Sequence, residues 1–158
     1  SLWTWKPDAP SGLASGSALT GEKLIVGDNR GYVYSLSAQE GKLLDRYPSG
    51  APVTQAPQVV DDMLLVFPRS SGVQCLDVGE EMNLRWSYDS ATEFIGQGKQ
   101  GLYFLTADKQ MVCLDGETGD EKWKMQIANG LLVKSQPDKP VFYLASPAGE
   151  IVALGELD

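Results

Sequence analysis

The sequence contains no histidine, the side chain that most often serves as a general base or as a metal ligand. Ser-His-Asp and Cys-His catalysis are therefore excluded, and so is any metal site that needs an imidazole. Cysteine is also scarce. Cys75 and Cys113 are too few and too far apart for a cysteine-rich zinc site or a Cys-x-x-Cys redox pair. The sequence alone does not decide whether these two residues form a disulfide.

Positive charge and long apolar runs are equally scarce. The chain carries 13 Lys and Arg against 21 Asp and Glu, and the net charge of -8 opposes attraction to phosphate backbones and anionic membranes. No apolar run approaches the roughly 18–20 residues that span a bilayer, and the first five residues lack the pattern of a signal peptide. We therefore expect no nucleic-acid partner and no direct membrane insertion. The export signal of an exported protein would lie outside this sequence.

What the sequence does contain is an internal repeat of about 40 residues. One short segment recurs with its leucines at intervals of 40, 38 and 40 residues: Leu36, Leu76, Leu114 and Leu154. A second apolar run begins twelve residues before each leucine. These runs are short, rich in aromatic and β-branched residues, and separated by turn residues, as at Asn29-Arg30-Gly31 and Ser70-Ser71-Gly72. Strands therefore explain the repeat better than paired helices.

Two more strand candidates precede these runs in each repeat. One contains an aromatic residue, at positions 5, 47, 86 and 123, and the other is weaker, around positions 17, 57, 95 and 135. Four antiparallel strands per repeat are the content of a β-propeller blade. We predict an all-β fold with a single propeller domain over residues 1–158, as part of a larger protein. Its four blades would cover about 2–40, 41–79, 80–116 and 117–157.

The stretch from Cys113 to Trp123 resembles the tryptophan-docking repeat of the quinoprotein-like, or PQQ-like, β-propellers. That repeat has a small residue first, Asp third, Gly seventh and Trp eleventh. The resemblance implies that the Trp of one repeat packs against the backbone near the Gly of a neighbour and so joins adjacent blades. The docking residues implied by this match are Trp5, Trp86, Trp123, Gly41, Gly119, Cys75, Cys113, Asp77 and Asp115.

The first copy of the repeat departs from the pattern. It keeps Ser35 and Gly41 but has Asp45 where Trp belongs. Trp5, or alternatively Trp3, would then dock for an earlier repeat. At the small position we expect both cysteines to act as buried packing residues.

Acidic residues concentrate in the connections at one end of the predicted blades. The spacing around Asp115 lacks the ligand pattern of a calcium loop, which favours a solvated turn. The Gly-x-Gly-x-x-Gly stretch from Gly96 to Gly101 lies between two predicted strands without a following helix, so a phosphate cradle is not expected. We instead expect an acidic interaction face that attracts a basic partner, with these candidate residues: Glu80, Glu81, Glu117, Asp120 and Glu121.

With no catalytic constellation in view, we expect a noncatalytic recognition or scaffold module that senses a ligand or binds a protein and needs no cofactor. PQQ-like propellers without the cofactor site include a lipoprotein scaffold of outer-membrane protein assembly and bacterial sensor domains. The resemblance therefore implies an extracytoplasmic location, periplasmic or at the cell surface of a bacterium. The alternative is half of a PQQ-dependent quinoprotein dehydrogenase whose catalytic residues lie outside this chain. Uncovered blade faces also predict a homodimer that completes an eight-bladed ring, or else a closed four-bladed ring.

Overall fold

The computed structural model describes residues 2–8, 12–127, 131–133, 141–145 and 148–155, and its regular structure there is entirely β-strand. The chain divides into two compact units, Ser1–Asp89 and Ser90–Asp158. In the described ranges, no helix has the length and apolar character needed to cross a membrane.

The first unit contains two antiparallel four-stranded sheets. In the first sheet the strands lie in chain order: β1 (Leu13–Thr20), β2 (Lys23–Asp28), β3 (Tyr32–Ser37) and β4 (Leu43–Pro48). The second sheet has the same arrangement: β5 (Gln58–Val60), β6 (Met63–Val66), β7 (Val73–Asp77) and β8 (Leu84–Tyr88). The predicted hairpin turns therefore connect β2 to β3 and β6 to β7.

The second unit repeats this pattern. Its four-stranded sheet is built from β9 (Ala91–Gln97), β10 (Leu102–Thr106), β11 (Gln110–Leu114) and β12 (Glu121–Gln126). Its three-stranded sheet is built from β13 (Leu131–Val133), β14 (Val141–Ala145) and β15 (Ile151–Gly155). The Gly-x-Gly-x-x-Gly stretch spans the end of β9 and the turn into β10. The strand candidate around position 135 lies outside the described residues.

The prediction of an all-β chain with four antiparallel blades is confirmed. The predicted blade limits, however, are displaced by one strand. The sequence predicts the aromatic strand as the first strand of each blade, yet Tyr47, Trp86 and Trp123 lie in β4, β8 and β12, the last strands of their sheets. Residues 38–42 link β3 to β4 closely enough to form a hairpin, whereas residues 49–57 lead from β4 to the next sheet. The sheets therefore cover residues 13–48, 58–88, 91–126 and 131–155 rather than the predicted limits.

Apolar runs explain which strands occupy the middle of each sheet. Every residue of β6 is buried, as a continuous apolar run predicts for a strand that is covered on both faces. In the first unit, Ile25 and Val33 of the first sheet share a core with Leu64 and Leu76 of the second. The opposite face of the first sheet carries a separate cluster around Tyr34. In consequence, the first sheet has an apolar surface on both of its faces.

The second unit has its own core. Tyr103 is 1% exposed, and its ring centroid lies 4.9 Å from that of Phe142. Ile95, Met111 and Cys113 pack in the same cluster. Cys113 and, in the first unit, Cys75 are fully buried thiols that are not joined in a disulfide.

Candidate functional site

An open acidic cleft of about 650 Å³ lies at one end of the first unit. The β5–β6 turn and the β7–β8 connection form most of it, and Thr20 at the end of β1 completes the wall. Five carboxylates line the cleft: Asp61, Asp62, Asp77, Glu80 and Glu81. Most of these acids stand in turns because β6 is a continuous apolar run and Asp77, the acid of β7, is the last residue of its strand.

Arg85 of β8 is the cation in this lining, and two of the acids neutralise it. Its Nη2 lies 2.5 Å from Asp62 Oδ2, and its Nε donates to Asp77 Oδ1. The hydrogen bond from Arg85 lowers the pKa of Asp62, and the bonds to Asp62 and then Asp77 raise the pKa of Arg85. Because Asp61, Glu80 and Glu81 add further negative charge, the lining of the cleft has a net negative charge. Binding of a cation or a basic peptide segment is the chemistry that such a lining favours.

The lining also argues against a small-molecule pocket. Such pockets are lined mostly by apolar and aromatic side chains with a few polar groups. Here Val78 is accompanied by charged and polar residues. Lys23 of β2 donates from Nζ to the carbonyl oxygen of Gly79, which links the first sheet to the cleft loop. The polar lining of the cleft therefore suits contact with a polar surface of another macromolecule better than binding of a small molecule.

The predicted docking geometry occurs in the first unit, but with Trp3 rather than Trp5. A Cβ built on Gly41 would lie 2.4 Å from Cε3 of Trp3, so the indole ring rests directly on this glycine. Trp3 Nε1 also donates to the carbonyl oxygen of Ala38 at 3.1 Å. Trp5 instead packs against Tyr34, with ring centroids 4.9 Å apart.

Gly41 and Gly119 have the same local conformation, as expected for equivalent positions of a repeat. Their φ angles are 69° and 75°, in the left-handed region that favours glycine. The Gly41 N–H donates to Ser37 O at 2.8 Å, and the Gly119 N–H donates to Asp115 O at 2.9 Å. In both repeats the chain therefore turns at the seventh position.

Asp45 replaces the docking Trp of the first repeat and makes a different contact. Its Oδ2 accepts a hydrogen bond of 2.6 Å from the backbone N–H of Met82, in the β7–β8 connection of the second sheet. A carboxylate thus joins the two sheets where the repeat pattern has an indole. Sequence reasoning identified the substitution but offered no signal for this bond.

Of the remaining docking candidates, the two cysteines lie in the inner strands β7 and β11, and the two tryptophans lie in β8 and β12, the last strands of their sheets. Trp86 is 6% exposed and is paired in register with Cys75. Trp123 is half-buried, donates from Nε1 to Gln100 Oε1 at 2.8 Å, and has its ring centroid 5.7 Å from that of Tyr103.

The aspartates at the third position stabilise local structure. Asp77 binds Arg85 as described above. Asp115 accepts hydrogen bonds from the N–H groups of Glu117 and Thr118 at 2.9 and 3.1 Å, and lies 3.0 Å from Lys122 Nζ. The Lys122 contact, followed by those backbone bonds, lowers the pKa of Asp115. Asp115 thus fixes the β11–β12 turn.

The residues of the predicted acidic face come from both units. Glu80 and Glu81 line the cleft of the first unit. In the second unit, Glu117 lies in the β11–β12 turn, Asp120 Oδ2 accepts a bond of 2.8 Å from the Thr118 hydroxyl, and Glu121 lies 2.9 Å from Lys124. Within the described part of the chain, no group of three His, Cys, Asp or Glu side chains is arranged to hold a metal ion. Sequence reasoning missed the paired Arg85 and the cleft itself, since neither follows from the repeat.

These features define a PQQ-like repeat propeller, and similarity to known proteins agrees. A family model described as outer membrane protein assembly factor BamB matches residues 1–100. The chain belongs to this family. A curated relative, outer membrane protein assembly factor BamB of Shewanella oneidensis, is 26% identical over 125 residues, which cover 74% of this chain and 31% of the relative.

Solved structures show the same fold at lower identity. BamB from Moraxella catarrhalis superposes with a TM-score of 0.73 at 16% identity, over 97% of this chain and 49% of that one. The computationally designed Ika8 protein gives 0.68 at 15% identity, over 90% of this chain and 45% of Ika8. The designed Ika4 protein gives 0.67 at 13% identity, over 95% of this chain and 93% of Ika4. The chain thus spans about a third of its curated relative and about half of the solved BamB.

Proposed function

We propose that this chain is a noncatalytic protein-interaction module that acts in the assembly of outer-membrane proteins. The observation that carries the proposal is the match of the BamB family model to residues 1–100, which include both sheets of the first unit and the acidic cleft. Membership of a family of assembly factors supports this role over half of a quinoprotein dehydrogenase. It also supports a periplasmic location.

We assign the acidic cleft as a contact surface for a basic segment of a partner protein. Five carboxylates against one guanidinium create a negative potential that steers a basic surface toward the cleft. The polar lining supports protein contact over small-molecule sensing, because a small ligand would find little apolar wall to bury it. Association should weaken as salt rises, since screening shortens the reach of exposed charges.

The test uses the full-length protein in the bacterium that encodes it. The gene is deleted, and the abundance of outer-membrane proteins is measured after complementation with wild type or with one of two double variants. The cleft variant is Glu80→Lys with Glu81→Lys. The matched control is Asp89→Lys with Asp108→Lys, two exposed turn residues away from the cleft lining that change the net charge equally.

We expect the deletion to reduce outer-membrane protein abundance, and wild type and the control to restore it. The cleft variant should restore it less well. Unchanged abundance after deletion would contradict the assembly role. Full restoration by the cleft variant would contradict only the assignment of the cleft.

A further inference from the structure

The cleft loop, residues 78–83 between β7 and β8, forms one wall of the acidic cleft and carries Glu80 and Glu81 at its tip. The loop stands at the ends of its strands, so a sheet stacked on either face of the second sheet would not cover it. Its base is closed by a hydrogen bond of 2.9 Å from the Asp77 N–H to the Asn83 carbonyl oxygen. Glu80 and Glu81 are both exposed. The position of their carboxylates therefore depends on what holds the residues on either side of them.

The first sheet bonds the cleft loop on both sides of this acidic pair. On one side, Lys23 Nζ donates to the carbonyl oxygen of Gly79. On the other side, the backbone N–H of Met82 donates to Asp45 Oδ2 at 2.6 Å. The Met82 side chain is 6% exposed and packs in the core that the two sheets share. The two residues that flank the acidic pair are thus fixed to strands β2 and β4 of the first sheet.

Asp45 is the unusual element of this arrangement. It stands where the repeat has its docking Trp, and it is paired in register with Ser35 just as Trp86 is paired with Cys75. An indole at this position would bury more apolar surface, so packing between the sheets does not account for a carboxylate. A carboxylate instead accepts a short, directional bond from one backbone N–H. The substitution therefore exchanges apolar contact for control of where the cleft loop lies.

We propose that Asp45 is a positioning residue of the acidic cleft: through Met82 it holds Glu80 and Glu81 in the geometry that meets the basic partner segment. This inference rests on the function proposed above. A loop that is already ordered loses less conformational freedom on binding, so it binds more tightly. Asp45 Oδ1 accepts a bond of 2.7 Å from the Arg46 N–H, which orients the carboxylate toward the loop. Asp45 itself is not part of the cleft lining.

The test measures binding of a fluorescein-labelled tetra-arginine peptide to the full-length protein by fluorescence anisotropy. The decisive variants are Asp45→Asn and Asp45→Leu. Both remove the charge and have similar volumes, but only asparagine keeps a side-chain acceptor for the Met82 N–H. Glu40→Gln is the matched control for the lost charge, since Glu40 is exposed between β3 and β4 and lies outside the cleft lining. Asp45→Ala repeats the comparison with a smaller side chain if leucine prevents folding.

A second measurement reports on the cleft loop without any ligand. Hydrogen–deuterium exchange followed by mass spectrometry gives the exchange rate of the peptide that contains residues 78–83. A role in stability alone would raise exchange throughout the first unit. A positioning role raises it in the cleft loop while the inner strands β3 and β6 stay protected. The double variant Glu80→Lys with Glu81→Lys provides the reference for a cleft that no longer attracts the peptide.

We expect Asp45→Leu and Asp45→Ala to bind the peptide about 10-fold more weakly than wild type and to exchange faster in the cleft loop. Asp45→Asn should bind as tightly as Glu40→Gln and exchange as wild type does. Equal affinity of the asparagine and leucine variants, or unchanged exchange of the cleft loop in the leucine variant, would overturn this inference alone. Absence of binding by wild type, or undiminished binding by the Glu80→Lys, Glu81→Lys protein, would overturn the assignment of the cleft and this inference with it.

Discussion

Replacing Gly41 with Ala should detach Trp3 from the first sheet and destabilise the protein. The new Cβ would lie 2.4 Å from Cε3 and 2.5 Å from Cδ2 of the indole, so the ring must move. Gly41 also has a φ of 69°, and an alanine there is strained by about 1–2 kcal/mol whatever its neighbours. The measured effect therefore combines strain with loss of the indole contact.

Gly50→Ala separates the two contributions. Gly50 has a φ of 83°, so its substitution carries a similar strain, but an added Cβ would find nothing within 4 Å. A fully buried aromatic side chain contributes about 3–5 kcal/mol, and half of that, about 2 kcal/mol, is reasonable for the half-buried Trp3. Loss of the Trp3–Ala38 hydrogen bond adds about 1 kcal/mol. We expect Gly41→Ala to lower the free energy of unfolding by about 2–3 kcal/mol more than Gly50→Ala.

Urea denaturation followed by tryptophan fluorescence measures both variants. Adding Trp3→Ala gives a further check, because in that background the two glycine substitutions should cost the same. If Gly41→Ala and Gly50→Ala differ by less than about 0.5 kcal/mol in the wild-type background, the indole contributes little and the docking argument is refuted.

Four further predictions concern stability and assembly. Ser35 Oγ is buried without a hydrogen-bond partner in the described residues, so Ser35→Ala should be neutral or stabilising by up to about 1 kcal/mol in urea denaturation; a loss above 1 kcal/mol would contradict this. Trp123→Ala should cost about 2–3 kcal/mol by the same measurement, less than a fully buried tryptophan, and a cost above 4 would show tighter packing than its half-buried position implies. Because the pKa of Asp115 is lowered in the fold, its stabilisation is complete above its ordinary value of 3.8 and is lost as pH falls through the folded pKa. The difference in the free energy of unfolding between wild type and Asp115→Asn should therefore be smaller below pH 3.8 than at pH 7. Acid denaturation measures this difference, and an equal value at pH 7 and pH 2 would contradict the assignment. We also propose that the chain pairs into an eight-bladed ring, so that light scattering should give twice the 17.1 kDa mass, whereas a monomer at micromolar concentration would exclude pairing.

The sequence predicted the blades because their inner strands are apolar runs at a constant interval. It misplaced the blade limits because a repeat has no intrinsic starting point: the period is the same whether the strand with Trp86 begins one blade or ends the previous one. Only the pairing of β8 with β7 resolves this.

Contacts between repeats were less predictable than the repeats themselves. Trp3 and Trp5 are two residues apart and chemically identical, and the choice of Trp3 depends on which indole reaches Gly41. The bond from Met82 to Asp45 depends on a backbone N–H position, for which the sequence has no signal. The ion pairs of Arg85 with Asp62 and Asp77 were missed for the same reason, since pairing is a property of distance rather than of composition.

Site-specific photo-crosslinking in living cells tests the central claim most directly. A photoreactive residue replaces Glu81 in the cleft of the full-length protein, a second variant carries it at Asp108 as the control, and the crosslinked polypeptides are identified by mass spectrometry. We predict that position 81, but not position 108, captures proteins of outer-membrane assembly or their client precursors. The absence of any polypeptide adduct at position 81, or the same adducts at both positions, would contradict the account.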